Sequence, residues 1–322
     1  MTPKVGEEGA GGRSARFNIL GGVLPIRPRE ALRDAFAGVT LASMNIPQVL
    51  GYTRIAGTPV VTGLYTVLLP LIAFAVFGSS CHLVVAADSA TAAIFSGALS
   101  QMAPPASDRY MALVGMLTLE TAGVLLLARI LKAGFLADFL SRTVLVGFLA
   151  GVGVQVGVAM LGDMFGVAVA SRHTFVQLWE VARAATSADG RVVGVSIFVV
   201  ATILVARRFA PSFPAPLILV VGMIAASAWL NLAGHGFAVI GPVPGGLPSL
   251  KWPDVGWSDT LALTPVAGSC FVMIIAQSAA TARVYAVKHK ERVDENADIF
   301  GLAAANAAAA LSGAFVVNGS PT

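Results

Sequence analysis

An acid, Asp88, interrupts the apolar stretch HLVVAADSATAAIF, residues 82–95, at the point where a helix begins. The lead-in HLVV favours extended backbone, and the small residues after it would let a ligand approach the main chain. Ser89 or Asp88 can serve as the helix N-cap. Asp88 therefore has two interpretations: a cap that stabilises the helix start, or a protonatable group that binds a coupling proton or cation beside a substrate.

Two distant parts of the sequence repeat one polar pattern. Gln48 and Gln277 each stand six residues before an arginine, in IPQVLGYTR and IAQSAATAR. Further along each copy, an extended piece leads into small and polar residues: VVAADS at 84–89 and VVNGSP at 316–321. Chance similarity between Ala- and Gly-rich helices is one explanation. The other is an inverted repeat, whose broken helices direct free N–H groups at an anionic substrate.

Glu120 is a second acid in an apolar run, MALVGMLTLETAGVLLLAR. A lone carboxylate at the bilayer centre costs about 2.5 kcal/mol or more, so this side chain must face protein or water. A hydrogen-bonded structural role and a proton relay both fit. Asp88 and Glu120 are therefore the two candidates for a coupling-ion site.

The composition is that of an integral membrane protein. Hydrophobic residues make up 56% of the 322 residues, charged residues only 12%, and mean hydropathy is +0.80. The sequence contains no Ser/His/Asp arrangement, no phosphate-binding loop and no metal-ligand spacing, and Cys81 and Cys270 lie far apart. We therefore expect no enzyme, no cofactor and no metal site. The Lys and Arg residues lie mainly between the apolar runs and on one side of the membrane, so they indicate membrane orientation and not binding to nucleic acid.

Nine apolar runs approach the length of about 20 residues that a helix needs to cross a bilayer. These runs are 34–56, 59–78, 84–101, 110–131, 138–162, 191–208, 214–232, 261–285 and 297–313. The third is short, and a tenth begins at AFVVNGSPT. With the N-terminus inside, 15 of the 21 Lys and Arg residues fall on the cytoplasmic side, as the positive-inside rule requires. The tenth segment then enters from outside.

Longer motifs resemble the SulP sulfate permease family of anion transporters. Residues 34–85 are similar to its first two spans, through IPQ at 46–48, GLY at 63–65 and FGSS before His82. Residues 293–322, which contain NGSPT, are similar to its ninth and tenth spans. The resemblance extends over nearly all of 34–322.

The resemblance implies an all-α polytopic membrane protein with two inverted seven-span repeats, in which short extended pieces lead into half-helices three and ten. A core domain would move against a gate domain like an elevator. The implied divisions are a cytoplasmic tail (1–33), spans one to four of the core (34–131), spans five to seven of the gate (132–232), an extracellular linker (233–260), and spans eight, nine and the start of ten (261–322).

Positions matched to the family's substrate site come from four spans. They are Gln48 and Tyr52 in span one, Ala86, Ala87, Asp88 and Ser89 at the start of span three, Gln277 in span eight, and Gly319 and Ser320 at the entry to span ten. Many relatives have a proton-coupling carboxylate where this chain has Gln277, and an apolar residue where it has Asp88. We hypothesise that the acid has moved across the site.

The expected function is secondary active transport of a small anion of the sulfate, bicarbonate or dicarboxylate class, coupled to H⁺ or Na⁺. The chain would cross the cytoplasmic (inner) membrane several times, with its N-terminus in the cytoplasm, and a homodimer is possible. Spans eleven to fourteen are absent, so we expect a fragment of a longer protein that does not transport alone. The alternatives are a nucleobase permease, against which Gln277 and Ser320 argue, and an anion channel or non-transporting sensor.

Overall fold

A computed structural model of the chain describes residues 20, 28–132, 142–167, 169, 174–210, 215–237, 239, 245–289 and 294–320. Most of the predicted tail and the residues after Ser320 lie outside this described part. The elements are α1 (Pro28–Ala56), α2 (Val60–Thr66), α3 (Leu69–Phe77), β1 (Val84–Ala87), α4 (Ser89–Leu99), α5 (Asp108–Ile130), α6 (Arg142–Phe165), α7 (Thr174–Ala184), α8 (Gly190–Phe209), α9 (Ala215–Trp229), α10 (Trp257–His289), α11 (Glu295–Leu311) and β2 (Val317–Ser320).

Several helices have the length and composition to cross a membrane. Within the described residues these are Val60–Phe77 (α2 and α3 together), α5, α8 and Trp257–Arg283 of α10, and shorter apolar helices lie at Ser89–Leu99 and Ile218–Trp229. The chain is thus an α-helical, multi-pass membrane protein. Helix α1 begins at Pro28, six residues before the predicted first span, so it projects past the apolar run.

The predicted second span, 59–78, is broken into α2 and α3. Pro70 in the first turn of α3 has no N–H to donate to a preceding turn, which ends α2 at Thr66. The Thr66 hydroxyl donates to Gly63 O at 2.6 Å and accepts from the Ala87 N–H at 3.3 Å. The break therefore brings the end of α2 against β1.

The two strands form a small antiparallel sheet. Val84 pairs with Ser320, Val85 with Gly319, Ala86 with Asn318 and Ala87 with Val317. Extended backbone at membrane depth must have its polar groups satisfied inside the protein, and strand pairing meets much of that need. The Asn306 side chain supplies more, since it accepts from the Val317 N–H at 3.0 Å and donates to Val317 O at 3.1 Å.

The helices pack in two groups. In the first, α11 lies along α5 and α3, while α10 contacts α5, α4 and β2. In the second, α6 contacts α7 and α8, and α8 contacts α9. The groups meet where α1 contacts α9 and where α4 contacts α6. Their assignment as moving core and static gate remains a prediction.

An ion pair also joins the two groups. Arg54 Nη2, near the end of α1, lies 2.5 Å from Asp163 Oδ1, near the end of α6. Both side chains are about half exposed, at 57% and 49%, and exposed pairs of this kind contribute about 0–1 kcal/mol. Asp163→Asn is therefore expected to change the apparent Tm of the purified protein only slightly, as measured by differential scanning fluorimetry. A Tm loss as large as that of a core substitution would contradict this estimate.

Candidate functional site

The site begins where β1 ends and α4 starts. Asp88 is the N-cap of α4: its backbone is extended (φ −133°, ψ 141°), and its Oδ2 accepts from the N–H groups of Ala90 and Thr91, both at 3.1 Å. The Thr91 hydroxyl donates back to Asp88 O at 3.1 Å. Asp88 is only 7% exposed. The cap therefore holds a carboxylate at the positive end of a buried helix.

Helix α4 is too short to cross the membrane by itself. Its 11 residues rise about 16 Å, roughly half the thickness of a bilayer core. Its N-terminus therefore lies within the protein rather than at a membrane surface. Span three is a strand followed by a half-helix.

Asp88 is linked to β2 through the middle of α10. Gln277 Nε2 donates to Asp88 Oδ1 at 3.4 Å, and Gln277 Oε1 accepts from Asn318 Nδ2 at 2.6 Å. Asn318 is fully buried. Its Oδ1 accepts from the Ser278 hydroxyl at 2.9 Å, and the same hydroxyl accepts from the Gly319 N–H at 3.1 Å.

Helix α1 closes another side of this cluster. Tyr52 is partly buried, and its side chain lies within reach of Ser89 and close to Asp88. Gln48, one turn earlier on the same face of α1, is exposed. The tyrosine hydroxyl is thus a further polar group at the start of α4.

The strand register separates the other predicted residues. Ala86 and Ala87 are buried in β1, where Ala87 is next to Asp88. Gly319 fits against Ser278, since a Cβ on it would lie 2.9 Å from Ser278 Oγ.

Ser320 pairs with Val84, four residues before Asp88, which corresponds to about 13 Å along a strand. Tyr52, Ser89, Gln277 and Asp88 are therefore brought together, and Ser320 lies at the far end of the sheet.

Glu120 lies away from this cluster. Its carboxylate oxygens are shielded from solvent, beside Thr264 on α10. Thr264 precedes Gln277 by 13 residues, or about 20 Å along a helix. The coupling role suggested for Glu120 remains a prediction, and it would require a site separate from that of Asp88.

Asn318 and Ser278 were not among the residues predicted from the sequence. Asn318 had a detectable signal, because an amide between valine and glycine in a membrane segment needs a polar partner. Ser278 had none, since serine is common in apolar helices. The strand pairing brings Asn318 to the site, and Ser278 on α10 joins it through hydrogen bonds to Asn318 and Gly319.

The mainly α-helical fold is similar to the folds of solved membrane transporters. The structure is similar to that of SLC26A9, with a TM-score of 0.85 and 19% identity over 92% of this chain and 50% of that one. It is also similar to the transmembrane domain of a cyanobacterial bicarbonate transporter, BicA, with a TM-score of 0.79 and 20% identity over 92% of this chain and 76% of the other.

The chain belongs to the sulfate permease family, whose model matches residues 32–322. A probable sulfate transporter of Mycobacterium tuberculosis is 33% identical over 287 residues, 89% of this chain and 51% of the relative. Probable sulfate transporter 4.2 of Arabidopsis thaliana is 27% identical over 89% of this chain and 43% of the relative. The chain thus spans about half the length of the curated relatives it matches, and these relatives are transporters, not enzymes.

Proposed function

We propose that this chain forms the anion-binding part of a secondary active transporter for a small anion of the sulfate or bicarbonate class. The names of its relatives, which include sulfate and bicarbonate transporters, support this substrate class. Movement of the α6–α9 group relative to the remaining helices would give access from each side of the cytoplasmic membrane. The N-terminus would lie in the cytoplasm.

The main support for this proposal is the short helix α4, whose N-terminus is buried beside the paired strands β1 and β2. A helix N-terminus attracts anions because its first N–H groups have no acceptor within the helix and its dipole is positive there. Two side chains add donors at this point: the Ser89 hydroxyl and the Tyr52 hydroxyl. The anion would be held by neutral donors, without a fixed cation.

Asp88 couples the binding of an anion at this site to the binding of a proton. Its carboxylate already accepts from Ala90 N and Thr91 N, the donors that an anion at the helix end would use. Two unit charges 4 Å apart repel by about 4 kcal/mol at an effective dielectric constant of 20, and a divalent anion would be repelled about twice as strongly. An anion therefore binds well only when Asp88 is protonated. We propose that substrate and proton bind together and are transported together.

Asp88→Asn tests this coupling. In the wild type, sulfate affinity is expected to fall as pH rises, by at most about tenfold per pH unit for one linked proton. Asparagine keeps an oxygen for the cap and carries no charge, so the variant should bind sulfate with an affinity that does not change with pH. Affinity is measured from the sulfate-induced rise in apparent Tm at acid and alkaline pH.

Glu120→Gln is the matched control, because it neutralises the other intramembrane acid without touching the site. It should keep the wild-type pH dependence. If Glu120→Gln abolishes that dependence and Asp88→Asn keeps it, the coupling role of Asp88 is wrong. Stabilisation by uracil instead of by sulfate or bicarbonate would favour a nucleobase permease.

A further inference from the structure

The polar groups between Ser278 and Asp88 form a chain in which every donor points the same way. The Ser278 hydroxyl donates to Asn318 Oδ1, Asn318 Nδ2 donates to Gln277 Oε1, and Gln277 Nε2 donates to Asp88 Oδ1. Each amide has its oxygen at one end and its NH2 at the other. The orientation of one group therefore fixes that of the next.

The direction of the chain is set at Ser278. This hydroxyl accepts from the Gly319 N–H at 3.1 Å, and it has one proton to donate. Asn318 Oδ1 is the nearer acceptor, at 2.9 Å, whereas Gly319 O is 3.3 Å away. Asn318 itself is fully buried, so water cannot substitute for a misdirected amide.

We infer that Asn318, held by Ser278, is a positioning residue: it fixes the Gln277 amide with its NH2 towards Asp88 and thereby favours the ionised form of that carboxyl. The inference rests on the proposed anion site, because it concerns how that site controls its coupling acid. It assigns Asn318 and Ser278 a role that does not require either to touch the substrate.

Protonation of Asp88 would reverse the chain. An O–H on Asp88 Oδ1 pairs better with the amide oxygen of Gln277 than with its NH2, because the hydroxyl is then the donor. Gln277 would have to turn its amide, Asn318 would follow, and Ser278 would then donate to Gly319 O. All groups are paired in both patterns. The protonation state of Asp88 is thus transmitted to strand β2, which leads into span ten.

Other groups also face Asp88, and the two N–H groups that donate to its Oδ2 favour the ionised form together with the amide chain. In the described part of the chain, α4 contributes the N–H groups of Ala90 and Thr91, and α1 contributes Tyr52 as the one titratable neighbour. Helix α10 contributes Gln277, and β2 contributes Asn318. Gln277 donates to Asp88 Oδ1, and Asn318, which orients that amide, also lies within reach of the carboxyl.

The test moves the negative charge from one end of the chain to the other. Asn318→Asp leaves two carboxylates that compete for the single NH2 of Gln277, so one of them must be protonated. Asp88→Asn with Asn318→Asp restores a complete pattern, because the new amide donates to Gln277 Oε1 and Gln277 Nε2 donates to the new carboxylate. The two substitutions should therefore compensate each other.

Two measurements test whether the two substitutions compensate each other: the apparent Tm and the infrared carboxyl band. Both are made on the purified protein without added anion. The double variant should have an apparent Tm at least about 3 °C above the value that the two single losses predict when added. In infrared difference spectra against wild type, a protonated-carboxyl band should appear in Asn318→Asp and disappear in the double variant. Additive Tm losses, or the same carboxyl band in both variants, would overturn the inference.

Asn306→Asp is the matched control. Asn306 is also fully buried and also braces β2, through Val317, but within the described residues no hydrogen bond joins it to Asp88 or Gln277. Combined with Asp88→Asn it should give additive losses, and compensation equal to that of the Asn318 pair would overturn the inference.

A second pair keeps the test decisive if Asn318→Asp does not fold. Gln277 is only partly buried. Gln277→Glu places a second carboxylate next to that of Asp88, and the new carboxylate can still accept from Asn318. Adding Asp88→Asn supplies a donor for it, so this pair should also be more stable than additivity predicts. Additive losses here would overturn the inference. Because no anion is added, its failure would leave the sulfate-binding test of the proposed function unaffected.

Discussion

Gly63→Ala is expected to lower the apparent Tm by several degrees and to abolish stabilisation by sulfate. A Cβ at this position in α2 would lie 2.4 Å from Val49 O and 2.6 Å from Thr53 Cγ2, both on α1. One contact is with backbone, so α1 and α2 must move apart. Overpacking of this kind costs about 1–3 kcal/mol, more than the gain of up to about 1 kcal/mol from replacing a helical glycine.

The displaced part of α1 carries Tyr52, between Val49 and Thr53. A shift there moves the tyrosine hydroxyl relative to Ser89, so the anion site should be affected together with stability. Gly51→Ala is the control on the same helix, because a Cβ at Gly51 meets no atom within 4 Å. It should be neutral or slightly stabilising. If both alanine variants behave alike, the close packing of α1 and α2 is wrong.

Asp298→Ala is expected to have the largest effect on stability. Asp298 is 5% exposed in the first turn of α11, and its Oδ1 accepts from Ser79 N at 2.7 Å, Ser79 Oγ at 2.9 Å and Ser80 N at 2.9 Å. Alanine would leave buried N–H groups without an acceptor. Each unsatisfied group costs about 1–3 kcal/mol, so the total is about 3 kcal/mol or more.

The loss should extend to the site, because the segment from Ser79 leads directly into β1. Apparent Tm and the sulfate-induced rise in Tm measure the two effects together. Asp298→Asn is the control: it keeps an acceptor oxygen of the same shape and should lose much less. A small loss in Asp298→Ala, equal to that of the asparagine variant, would show that these bonds do not hold the segment.

The sequence predicted the local features that depend on neighbouring residues. The HLVV run, which favours extended backbone, the small residues and the cap at Asp88 together indicated that span three is interrupted, and the structure has β1 and α4 there. Composition predicted a multi-pass helical membrane protein. Pro70 is the sequence signal for the break in span two, but the apolar run of spanning length around it predicts one continuous helix.

Features that depend on the pairing of distant segments could not be predicted. The register of β1 and β2 places Asn318 beside Asp88 and Ser320 at the other end, and a shift of one residue would turn every side chain to the other face. Nothing in either valine-containing piece specifies that register by itself. It is fixed by tertiary contacts, such as those of Asn306 with Val317 and of Thr66 with Ala87.

The proposed transport requires an anion to bind at the buried N-terminus of α4. The most direct measurement is an anomalous difference map from crystals of the protein grown with selenate at acid pH, where Asp88 is protonated. We predict a selenium peak in contact with Ser89 and within reach of Tyr52. Selenate bound elsewhere, with no peak at the start of α4, would contradict the account.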